Sequence, residues 1–101
     1  MNTDRLLAAL SMDLVRISMG YKRGSIRMAD RFCQEAKARC IELKGVELQD
    51  HIQEIIVDIM IVMDHEDKAI VAEKSMMYST LLQNHVNRRL TGAKFDGTKV
   101  N

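Results

Sequence analysis

The chain has no proline and no tryptophan, and only two tyrosines and two phenylalanines among its 101 residues. Without proline, no position is barred from a helix by a missing N–H or by a ring clash. With aromatic residues at 4%, a core has to be filled by aliphatic side chains and by eight methionines, which pack adaptably but specify shape weakly. Long apolar runs are missing too. The longest is five residues, as in Ile59–Met63, against the ~20 that a membrane-spanning helix needs. Nor is there an excess of one charge: fifteen Lys and Arg against fourteen Asp and Glu leave +1, so no global field favours nucleic acid or a membrane surface. The residues after Met1 are polar and charged, which argues against an export signal and for a cytoplasmic protein. No Gly-rich nucleotide loop, Cys-x-x-Cys pair or serine elbow occurs. The residues three before His51, His65 and His85 are Leu48, Val62 and Leu82, so the Glu-x-x-His pairs of di-iron bundles are missing as well.

What is present is a globular balance, 47% apolar and 29% charged, in a chain of single-domain length. Four stretches carry helical periodicity. In the first, about 3–22, Leu6, Leu10, Leu14, Ile17 and Tyr21 share a stripe, with Thr3 and Asp4 as N-cap and first-turn acid. Gly24 is suited to ending that helix and Ser25 to capping the next, about 25–43, whose stripe is Ile26, Ala29, Phe32, Cys33, Ala36, Cys40 and Leu43. Four of those seven side chains are small, so a partner backbone can approach closely.

Gly45 separates this helix from a third, about 47–63, with Leu48, Ile52, Ile55, Ile59, Val62 and Met63 facing inward. Eight of the nine residues 55–63, all but Asp58, are apolar, and many are β-branched, so a buried strand is the competing reading there. After the acidic break Asp64–Asp67, a fourth helix of about 67–90 turns Ile70, Val71, Met77, Tyr78, Leu81, Leu82 and Val86 to one side. Connections this short join antiparallel neighbours, so the expected fold is all-α: an up-down-up-down four-helix bundle over 1–92, with a short mobile tail at 93–101.

Chemistry-bearing residues are few. Cys33 and Cys40 are seven apart on one helix, ~10.5 Å by the helical rise, too far for a disulfide. Two small core hydrophobes in a reducing compartment is the preferred account. His85 lies among Tyr78, Leu81 and Leu82 with no carboxylate one turn away, which suits a core histidine bonded to Tyr78 or another helix better than a general base. His65 is expected to be solvated in the acidic break. Glu47, His51, Glu54 and Asp58 step by four, three and four along one face; that ridge has metal-ligand residue types, but a solvated salt-bridging face explains it more simply.

Charge is unevenly distributed: +4 over residues 1–40, −7 over 41–73 and +4 over 74–101. Lys22, Arg23, Ser25, Arg27 and Arg31 gather at the first turn, and Arg88 and Arg89 end the fourth helix. A helix N-terminus among cations attracts phosphate, so a nucleic-acid or anion-binding surface formed by these residues is the second functional reading. An enzyme is the least supported class, and no cofactor is implied. The first reading is a protein-interaction module. Helix 1 carries a second apolar line, Ala8, Met12, Val15 and Met19, and helix 3 repeats the pattern with Val57 and Ile61. One bundle buries one stripe per helix, so these residues are expected to face water and to form the interface of a homodimer, two-fold symmetric by the usual preference.

Overall fold

Residues 2–91 are described by the computed structural model; the expected tail at 93–101 lies outside them. Four helices follow in order, α1 (Thr3–Arg23), α2 (Ile26–Lys44), α3 (Asp50–Met63) and α4 (Lys68–Thr91). Each packs on its chain neighbours and α4 returns to α1, giving the antiparallel bundle. α1 and α3 lie diagonally, no Cα of one coming within 8 Å of a Cα of the other. The stretch 55–63 is helical, and the strand alternative fails. Its periodicity is completed by Ile52, Ile56, Ile59 and Met63, all buried.

The helix ends follow local chemistry. Asn2, not Thr3 or Asp4, caps α1: its Oδ1 accepts the amide of Arg5 at 3.3 Å. Gly24 takes the left-handed conformation at φ 81° that lets its own amide and that of Ser25 return to Gly20 and Tyr21. Ser25 occupies the N-cap position of α2 without a side-chain hydrogen bond. α3 starts three residues later than its periodicity suggests, so Glu47 and Leu48 precede it. Leu48 still packs against the core from the connection. Asp67 caps α4 by accepting the amide of Ala69 at 2.9 Å, and His65, expected to be merely solvated, accepts the amide of Asp67 through Nδ1 at 3.0 Å.

The core is built of Leu7, Leu10, Leu14 and Ile17 from α1, Ala29, Cys33, Ala36, Cys40 and Leu43 from α2, Ile52, Ile56 and Ile59 from α3, and Val71, Leu82 and Val86 from α4. Several expected core positions lie elsewhere. Ile26 is exposed on the first turn of α2, beyond the packed length of its stripe, and Ile55 gives its inward place to Ile56. Met77 and Leu81 are exposed because α4 turns its small residues, Ala72, Ser75 and Ser79, into the bundle. Phe32 is half-buried, its ring covered by the guanidinium of Arg16 at 5.2 Å.

Candidate interaction surfaces

The second apolar line of α1 is only partly open. Met12 is 43% exposed, whereas Ala8, Val15 and Met19 are half-buried. Ser11 and Ser18, which flank the line, are buried. The hydroxyl of Ser79 on α4 donates to the carbonyl of Ser11 at 2.8 Å, and the amide of Gln83 reaches the sulfur of Met12. Gly20 brings α2 equally near: a Cβ there would sit 3.0 Å from the Cβ of Ala29. Side chains of both neighbours therefore lap over the edges of the line and leave a narrow strip. Arg5, Met12, Arg16 and Arg23 are its exposed members. No exposed acid stands among them on α1: Asp13 is buried against Arg39 and meets Arg16 at 3.7 Å, and Asp4 pairs with Arg89.

The apolar pair of α3 is more open, with Val57 51% and Ile61 65% exposed. Val57 also borders a largely apolar cleft of about 260 Å³ lined by Leu43, Val46, Leu48 and Ile56, with Lys44 and Gln53 at its polar side. The charges that α3 itself exposes are all negative, Asp50, Glu54 and Asp58, since the helix contains no Lys or Arg; the cation at the cleft is Lys44, from the end of α2. The outward faces of α1 and α3, expected to contribute to one interface, thus lie on opposite sides of the molecule and carry opposite charge.

The basic residues do not form the single surface expected of them. Arg89 donates to Asp4 at 2.9 Å, which fixes the end of α4 beside the start of α1. Lys22, Arg23, Ser25 and Arg27 lie at the other end, roughly 30 Å away along the 21-residue α1. The acidic α3–α4 connection does not pair with them; its Asp64 pairs instead with Lys37, farther along α2. Arg31 stacks over Phe32 at 5.9 Å. Arg23 and Arg27 make no ion pair among the described residues.

The acidic ridge is also broken, because Glu47 precedes α3. No cluster of three or more His, Cys, Asp or Glu suited to a metal forms among the described residues. His51 instead meets His85 edge-to-face, ring centroids 5.7 Å apart, across the α3–α4 contact. His85 is buried but does not bond to Tyr78, whose hydroxyl donates to Asp58 at 3.4 Å. Burial, then the neighbouring His51, Arg89 and Arg88, hold the His85 imidazole below its ordinary pKa, with Asp4 opposing. Both cysteines are free and buried. Burial raises the Cys33 thiol and pushes Cys40 up to about 12, the opposite of what a nucleophilic thiol needs.

Asp13 escaped sequence reasoning. It sits in α1 on the side facing α2, and only its spacing of three and four from Leu10 and Ile17, both fully buried, marks it as an inward position. No helix among the described residues is long and apolar enough to cross a membrane. In comparison with known proteins, the chain matches no family model, no curated protein and no solved structure.

Proposed function

We propose that the chain is a helical protein-interaction module that binds a second copy of itself. The observation that carries this reading is the outward face of α3, where Val57 and Ile61 stay exposed beside an apolar cleft after the bundle has closed. Contiguous apolar surface left over by a closed core is the usual mark of an interface, and covering one such side chain contributes ~1.5–3 kcal/mol. The two free, buried cysteines favour a reducing, cytoplasmic setting. Light scattering coupled to gel filtration tests the reading. Self-association raises the mass above 11.5 kDa at about 50 μM, a concentration that populates complexes with micromolar dissociation constants. A mass that stays monomeric there refutes it.

A further inference from the structure

We infer that self-association is head-to-tail: the basic outer strip of α1 on one copy docks on the acidic outer face of α3 on the next. This rests on the self-association reading and specifies its geometry. Each helix pairs exposed apolar side chains with exposed charges of one sign along its own outer face, Arg5, Arg16 and Arg23 with Met12 on α1, and Asp50, Glu54 and Asp58 with Val57 and Ile61 on α3, the latter bordered by Lys44 of α2. Arg5 and Arg23, like Asp50 and Glu54, make no ion pair among the described residues. Arg16 meets Asp13 at 3.7 Å and lies over the Phe32 ring at 5.2 Å, yet its side chain remains about half exposed.

A two-fold contact would set either face against itself. Through α3 that brings the acidic outer face of one copy onto the acidic outer face of the other, and through α1 it brings one arginine strip onto another. Like charges brought together in a desolvated contact cost several kcal/mol, so the isologous dimer favoured by general frequency is disfavoured by these residues. The heterologous contact instead sets the arginines of α1 against the acids of α3. Because α1 and α3 are diagonal, the two faces of one copy point apart, and occupying one leaves the other free. Such contacts give rings or open chains rather than closed dimers.

Two variants separate the possibilities. Met12→Glu with Arg16→Glu disables the α1 strip and leaves α3 intact; Val57→Gln with Ile61→Gln disables the α3 face and leaves α1 intact. All four positions are exposed, and Glu and Gln are good helix formers. The wild-type chain should show a mass that rises with concentration and falls with added salt, which screens exposed charge pairs. Each variant alone should stay at 11.5 kDa. Their equimolar mixture should give a 1:1 complex of twice that mass and no larger species, because one live α1 strip meets one live α3 face and both remaining faces are dead. A wild-type chain that stays monomeric refutes self-association itself. A wild-type chain that associates while one variant alone still dimerises, or while the mixture stays monomeric, overturns the head-to-tail geometry and leaves self-association standing. Far-UV circular dichroism confirms the fold of each variant, and where one fails, the single substitutions Met12→Gln and Ile61→Gln carry the same test.

Discussion

The carboxylate of Asp13, 2% exposed on α1, accepts the Nε–H of Arg39 on α2 at 2.7 Å. The pair is asymmetric, since the Arg39 side chain is about a third exposed and can turn to solvent if its partner is removed, whereas Asp13 cannot. Breaking a buried pair is costly mainly through the charge left behind, ~3–5 kcal/mol at full burial. Arg39→Met should therefore destabilise by about 2–3 kcal/mol, because the remaining Arg16 contact is loose. Asp13→Asn, which leaves the exposable partner, should cost clearly less. Urea midpoints of the two variants decide it, and equal losses would contradict the asymmetry.

Four serines make the second polar feature of the bundle. Ser79 donates from α4 to the Ser11 carbonyl, and Ser11 donates back along its own helix to Ala8 at 2.7 Å. The hydroxyls of Ser18 and Ser75 are buried without a partner. Removing a satisfied hydroxyl forfeits about 1 kcal/mol, whereas removing an unsatisfied one relieves a desolvation cost. Ser79→Ala should therefore lower stability by about 1 kcal/mol, and Ser75→Ala should leave it unchanged or raise it. Thermal melts of the two variants should move in different directions or, at the least, by clearly different amounts.

Helix number and order, the turn at Gly24 and the aliphatic core were legible because each rests on local pattern: stripes at helical spacing, a glycine that accepts positive φ, short links. Relations between helices were not. The wheel of α1 places Ser11 and Ser18 beside the Met12 line, but it cannot say that Ser79 and Gly20 let α4 and α2 come close enough to bury those serines and half-cover Ala8, Val15 and Met19. Asp13 was missed for the same reason, since its partner is 26 positions away. The basic residues misled in the opposite sense. Sequence proximity to helix ends joined Arg88 and Arg89 to the Lys22–Arg31 cluster, although antiparallel packing sends the two groups to opposite ends.

Gly20 and Gly24 are glycines for different reasons, and substitution should separate them. At Gly20 a methyl group would press on Ala29, with its Cβ at 3.0 Å and Cα at 3.3 Å. Overpacking costs ~1–3 kcal/mol and the gain in helix propensity returns up to ~1, so Gly20→Ala should destabilise by about 1 kcal/mol. Ala29→Gly in the same chain should remove part of the clash, giving a favourable coupling in a double-mutant cycle. Nothing crowds Gly24; its φ of 81° sets the cost. Gly24→Ala should lose ~1–2 kcal/mol, and Gly24→Asn less, because asparagine tolerates the left-handed region. Additivity of Gly20→Ala and Ala29→Gly would show that the Cβ contact is not what matters.

The His51–His85 contact gives the bundle a pH dependence of definite sign. His85 is packed between α3 and α4, facing His51 on α3, with Arg88 and Arg89 on its own helix and Asp4 on α1 nearby. Burial first, and then the cationic neighbours, lower its folded-state pKa beneath the unfolded value of ~6.5. A group lowered in this way favours the folded state fully above the unfolded pKa. That contribution declines as the pH falls from about 6.5 toward the folded pKa, because the unfolded chain takes up the proton first. Protonating both rings would also place two cations 5.7 Å apart at the contact between α3 and α4. Stability measured by urea unfolding should therefore fall between pH 7.5 and about 5, before most carboxylates titrate. His85→Gln should flatten that decline, while His65→Gln, in the exposed α3–α4 connection, should leave it in place. A decline that is as steep in His85→Gln as in the wild-type chain would place the proton uptake elsewhere.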